Sequence, residues 1–259
     1  ANDGCAALAE KEAGSADKAV ELMNSRAKML GMNGTVYTDC TGMGEGNATT
    51  ANDTALLCSE LAKYKNLTPY LTCWLDTVRD GKAELVNLNR LVRTYKGVTG
   101  MKAWGSEKAG SCIAATAEKG DMSVCVVLNG CDSQEDMNAE AKKLLNLAFD
   151  TYEIYTPELP EDMVRETVVC GGEELSVELA PQGLYPIVIP RGTYRMVECD
   201  FTAEEKLDAP VKKGETAGEI RYTMGGEVIL EGKIVACKEV KKMNFICGIK
   251  KLVYNLLSM

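Results

Sequence analysis

The hydrophobic period of this chain changes once, near residue 155, and that change limits what it can fold into. Before it, apolar residues recur at helical spacing. Val20, Met23, Ala27 and Leu30 repeat every three or four positions, with Ser15 ahead as a cap and Gly31 behind as a terminator. Ala55, Leu56, Cys58, Leu61 and Ala62 form a second helical face. Thr50 opens it, and Asp53 stands three positions on, the spacing of a capping box. A third face, over residues 133–152, carries Met137, Ala141, Leu144, Leu145 and Ala148, and residues 2–10 start a further helix with Ala6, Ala7 and Leu8. Residues 111–118 and 122–128 are strand-like runs joined at Lys119-Gly120-Asp121, a hairpin signal.

After residue 155 the pattern is different. Pro157 and Pro160 stand among acids over 156–167 and read as a linker. From 168 to 243 short strand-forming runs are punctuated by Gly171-Gly172, Gly183, Gly192, Gly214 and Gly225-Gly226. The reading is an α+β domain over 1–155 and a small all-β domain over 168–243. Over residues 244–259, Phe245, Ile246, Ile249, Leu252, Val253, Leu256 and Leu257 fall on one helical face, opposite Lys250, Lys251, Asn255 and Ser258. Lys238, Lys241 and Lys242 lie just upstream. That segment is too short to span a bilayer and is predicted to lie on a membrane surface as a C-terminal amphipathic helix.

Composition removes several function classes. The 259 residues include no histidine, so Ser-His-Asp and Cys-His catalysis and the usual zinc sites are excluded. A net charge of −9 argues against nucleic acid as a partner. Eleven cysteines contain no C-x-x-C pair and sit singly in the sequence. They read as buried free thiols acting as small hydrophobes. No metal site and no cofactor is expected.

Residues 95–110 carry the most specific motif. Tyr95, Gly97, Val98, Gly100, Lys102, Lys108, Ala109 and Gly110 align without a gap on a segment of the form YPGVxGLKTGST-x-KAG. On these residues the chain resembles the penicillin-binding D-alanyl-D-alanine carboxypeptidases. Other stretches resemble them too: Thr49-Thr50-Ala51-Asn52-Asp53, the helix around Met23-Asn24, and Asn87, Asn89, Leu91 and Val92 against the family's Asn-x-Asn-x-Leu-Leu. The resemblance implies a transpeptidase/β-lactamase-like domain over 1–155, present in its C-terminal part, followed by the family's β-rich domain.

It also implies a site. Such enzymes use a Ser-x-x-Lys pair, a Ser-x-Asn and a Lys-Thr-Gly strand for acyl transfer, with Lys as the base where no histidine serves. Lys102 matches the Lys of the third motif, and Asn2 the Asn of the second, whose Ser would precede Ala1. These two are the expected catalytic residues. Ala103, Trp104, Gly105 and Ser106 are the expected substrate-binding residues. Ala103 stands where the family has Thr and Trp104 where it has Gly, and Thr41 occupies a position that is His in the family. One lost hydrogen bond to a charge is worth about 1.5–3 kcal/mol, or roughly ten- to hundredfold in rate. Ser-x-x-Lys occurs at Ser15–Lys18 and Ser25–Lys28. Ser15 reads as a helix cap and Ser25 as a solvent-face residue, so the nucleophile pair is expected to lie before Ala1, on a companion N-terminal polypeptide or a piece cleaved from this one.

Two functions follow from the resemblance. One is removal of the terminal D-Ala from peptidoglycan stem peptides at the extracytoplasmic face of the bacterial cell membrane, with β-lactam antibiotics as inhibitors. The other, favoured by Ala103 and Trp104, is a degenerate relative that binds wall peptides or partners without turnover.

Overall fold

The computed structural model describes residues 2–245. The chain divides into two compact units, Ala1–Thr151 and Tyr152–Met259. In the first, α1 (Asn2–Ala13) and α2 (Ala16–Met29) pack along each other. They are separated where Ser15 turns to an extended conformation and its hydroxyl accepts from Lys18 N at 3.3 Å. α2 buries only Ala19 and Ala27, and Gly31 closes it with φ +77. A long loop leads to α3 (Ala51–Leu61), capped by Thr50, whose hydroxyl accepts from Asp53 N at 3.0 Å. The capping box is not reciprocated. Asp53 Oδ2 instead accepts from Gly34 N at 2.8 Å and Thr35 Oγ1 at 2.7 Å.

α4 (Thr68–Leu71) precedes a small hairpin of β1 (Leu75–Val78) and β2 (Ala83–Val86), and α5 (Leu91–Thr94) follows it. Then come β3 (Val98–Ser106), β4 (Gly110–Lys119) and β5 (Met122–Cys131), an antiparallel sheet in sequence order. The predicted hairpin at Gly120 joins the last two, with Gly120 at φ +65. α6 (Gln134–Thr151) packs on β4 and β5 through Met137, Ala141, Leu145 and Phe149. Six consecutive β4 residues, 112–117, are buried. Ala114 packs toward Cys58 of α3, which leaves the face of Ile113, Ala115 and Ala117 to α6. Five of the six are apolar, and the sixth, Thr116, accepts from the Thr99 hydroxyl at 2.8 Å.

The second unit opens with β6 (Tyr152–Tyr155) and continues with β7 (Glu166–Cys170), β8 (Ser176–Gln182), β9 (Ile187–Pro190), β10 (Val197–Ala203), β11 (Lys206–Asp208), β12 (Thr216–Met224) and β13 (Glu227–Ala236). Six of them form one sheet in the order β10-β12-β13-β8-β7-β11, antiparallel except for β11 on β7. β6 pairs with β9. The sequence boundary after residue 155 therefore differs from the structural one by a single strand, because β6 takes its partner from 35 positions further on. Val177, Ile220, Tyr222, Ile234, Val211 and Val240 form the core. Tyr222 sits in it with its ring edge-on to Tyr155, and its hydroxyl donates to Glu158 O at 2.9 Å.

The predicted terminal helix falls, from Ile246 onward, outside the described residues. Among the described residues no helix is long and apolar enough to cross a membrane.

Candidate functional site

Strand β3 carries the motif residues, and Gly97 sets where it begins. Gly97 has φ +92, and a Cβ there would stand 2.4 Å from Glu118 O. Its carbonyl accepts from Glu118 N at 2.8 Å, so the chain enters the sheet against the end of β4. From Gly100 to Ser106 the register with β4 is unbroken: Lys102 faces Ala114, Ala103 faces Ile113 and Trp104 faces Cys112. No slip brings Gly105 or Ser106 into the place of Ala103 or Trp104.

β3 has β4 on one side only, so its outer edge is unpaired among the described residues. Lys102 is exposed, and its ammonium has no hydrogen-bond or ion-pair partner among them. Ala103 is buried on the other face, opposite Ile113, and offers no group to a ligand lying beside Lys102. Trp104 returns to the Lys102 face and packs its ring against the cluster of Cys58, Met101 and Ala114, where Leu71 and Cys125 also lie. The Ser106 hydroxyl accepts from Ala109 N at 3.0 Å and closes the turn to β4. Asn2 opens α1, half-exposed, on a helix with no buried residue. Of the six expected site residues, five thus share one strand and one stands on a separate helix.

The two Ser-x-x-Lys pairs behave as their sequence reading predicts. Ser15 is occupied as a cap, while Ser25 and Lys28 are exposed. Neither lysine is desolvated, as a general base would need to be.

The loop of residues 38–47 is organised by Asp39, which sequence reasoning passed over. Its carboxylate accepts from Thr41 N at 2.6 Å, Thr41 Oγ1 at 2.7 Å, Gly42 N at 2.7 Å and Gly44 N at 2.9 Å, and also from the Asn47 amide. The Thr41 hydroxyl above all, then Asn47 and the backbone N–H groups of Thr41 and Gly42, hold this carboxyl well below the usual aspartate range. The Asp-x-Thr-Gly spacing was the legible signal, since Asp favours such turns. Glu45 of this loop lies 3.7 Å from Lys108 in the β3–β4 turn.

An antiparallel sheet flanked by helices and followed by a β-sheet unit is the fold of the penicillin-binding-protein-5-like transpeptidases. The sequence profile of the D-alanyl-D-alanine carboxypeptidase family matches residues 1–132, and that of the penicillin-binding protein 5 C-terminal domain matches residues 150–242. The chain belongs to the D-alanyl-D-alanine carboxypeptidase family. It is 32% identical over 255 residues to D-alanyl-D-alanine carboxypeptidase DacF of Bacillus subtilis, covering 96% of this chain and 66% of that one. It is 31% identical over 247 residues to DacC of Escherichia coli, covering 94% and 62%. Penicillin-binding protein 5 from Haemophilus influenzae shares the fold with a TM-score of 0.79 at 25% identity, over 93% of this chain and 71% of that one. The chain spans 66% and 62% of the lengths of the two curated relatives, just under two thirds.

Proposed function

We propose that this chain is part of a serine-type D-alanyl-D-alanine carboxypeptidase. It trims the terminal D-Ala of peptidoglycan stem peptides through an acyl-enzyme, at the extracytoplasmic face of the bacterial cell membrane. The observation that carries this reading is the exposed, unpartnered Lys102 on the open edge strand β3. An extended peptide adds to such an edge through its backbone, and an ammonium beside it receives the terminal carboxylate. Asn2 acts in the second motif. The attacking serine and its lysine come from a segment outside these 259 residues, on a companion polypeptide or a longer form of this one. Residues 244–259 hold the protein to the membrane surface. β-Lactams acylate the same serine.

A second reading is a binder without turnover. It is favoured by Trp104, whose ring shares the Lys102 face, and by Ala103, which lacks the family's hydroxyl.

Intact mass of the purified protein and everything that copurifies, before and after benzylpenicillin, separates the two. A gain of one penicillin mass on a polypeptide carrying Ser-x-x-Lys supports the enzyme. Such a polypeptide without an adduct supports the binder. If this chain itself acquires the adduct, the external-serine reading is wrong.

A further inference from the structure

The ladder between β3 and β4 is interrupted just ahead of Lys102. Val98 pairs with Ala117 and Gly100 with Thr116, so β3 carries one extra residue, Thr99, at this point. A bulge leaves the strand free to turn about its axis, and something other than the ladder must set it. At Gly100 the setting group is Asn89. Its side chain is fully buried, at 0% exposure. Its amide nitrogen donates to Gly100 O at 3.3 Å, while its Oδ1 accepts from Leu91 N at 3.1 Å. Asn87 Oδ1 accepts from Asn89 N at 2.9 Å. The Asn87 amide in turn donates to Leu71 O at 3.2 Å and Cys73 O at 3.0 Å. Leu71 also abuts Gly100, where a Cβ would stand 3.2 Å from it. From Gly100 the ladder is regular again: Gly100 pairs with Thr116 and Lys102 with Ala114, so the setting of Gly100 is carried to Lys102 through the register.

We infer that Asn89 is a positioning residue for Lys102: through Gly100 it fixes the rotation of β3 beyond the bulge, and with it the direction in which the ammonium projects. The inference rests on the proposed role of Lys102 for its meaning in catalysis, but not for the placement itself.

Asn89→Asp gives a test with a chemical signature. A carboxyl at this buried site has a raised pKa, because burial and the facing carbonyl both disfavour its charge. In its neutral form at pH 5 it still donates to Gly100 O and accepts from Leu91 N. Ionised at pH 8, it has no proton to donate. The parent has no histidine, so no side chain with an ordinary pKa between pH 5 and 8 confuses the comparison. Asn89→Leu, of similar volume, donates at neither pH.

Two readouts are taken on the full chain at both pH values: hydrogen exchange of residues 98–106 against α6, and calorimetric binding of a short N-acylated peptide ending in D-alanyl-D-alanine. The expected result for Asn89→Asp is parent-like behaviour at pH 5. At pH 8, exchange should rise in 98–106 alone and binding should weaken about tenfold, the loss of one buried hydrogen bond. Asn89→Leu should show the loss at both. Parent-like exchange in Asn89→Asp at pH 8, or a rise as large in α6 as in β3, overturns the inference. If the parent itself does not bind the peptide, the proposed role of Lys102 fails, and the exchange data alone uphold or overturn the placement.

Discussion

Thr35 Oγ1 donates to Asp53 Oδ2 at 2.7 Å, and this bond ties the loop after α2 to the first turn of α3. Asp53 is 4% exposed and also accepts from Gly34 N. Asp53→Ala would take the carboxylate acceptor from Gly34 N and leave the buried Thr35 hydroxyl only Thr49 Oγ1, at 2.9 Å. The expected cost is about 2–3 kcal/mol in denaturant unfolding. Thr50→Ala, which removes only the cap, should cost about 1 kcal/mol. Equal costs for the two would show that the loop bond contributes nothing.

Lys102 and Trp104 share a face of β3 but differ in burial, so their substitutions should separate function from stability. Lys102→Met removes an exposed group without partners and should change stability by under about 0.5 kcal/mol, while abolishing binding of D-Ala-D-Ala peptides. Trp104→Ala uncovers the Cys58 cluster and should cost roughly 2 kcal/mol. A large stability loss for Lys102→Met would refute the free-ammonium picture.

Gly97 leaves no room for a side chain. Gly97→Ala sets a methyl against Glu118 O in a left-handed conformation, and should cost at least about 2 kcal/mol. Gly120→Ala has open space around its Cβ and carries only the conformational part of that cost, so it should be the milder variant. Thermal melts of the pair decide this.

Asp39 has a depressed folded pKa, so its stabilisation of the 38–47 loop is complete above the ordinary aspartate pKa of about 3.9 and is lost as pH falls toward the folded value. Limited proteolysis by an acid-active protease should leave this loop intact at pH 5 and cut it faster as pH drops below about 3. Asp39→Ala should open the loop at both. Uniform cleavage of the parent across this range would refute the role given to Asp39.

The thiols should divide by burial. Cys5, Cys73 and Cys170 are exposed, whereas Cys58 and Cys112 are buried. The Cys125 thiol is pushed far above its ordinary range, first by its hydrogen bond with Cys58 and then by burial. Since the thiolate is the nucleophile, iodoacetamide should label the exposed three first and reach Cys58, Cys112 and Cys125 only in denaturant. Early labelling of Cys125, read by peptide mass mapping, would contradict its packing. The sequence reading of all the cysteines as buried hydrophobes is corrected by the exposed three.

Features that are completed within a few residues are legible without the fold. Ser15 and Thr50 are caps, Gly31 ends a helix, Gly120 turns a hairpin, and the glycine-spaced runs from residue 168 are strands, because capping and turn chemistry is completed within about four positions. The motif strand was legible for the same reason, as a contiguous run. Tertiary structure decided every partnership across longer separations. Asp53 looks as though it belongs to a capping box, yet its carboxylate turns to Gly34 and Thr35. β6 reads as the end of the α+β domain, yet pairs with β9. Ala103 reads as a site residue beside Lys102, but the pleat buries it on the opposite face, while Trp104 returns to the lysine's side. Asn89 was visible as part of a motif, but its hold on Gly100 appears only when the chain folds back eleven residues later to place β3 against it. Such contacts depend on how elements stack, and no local preference encodes them.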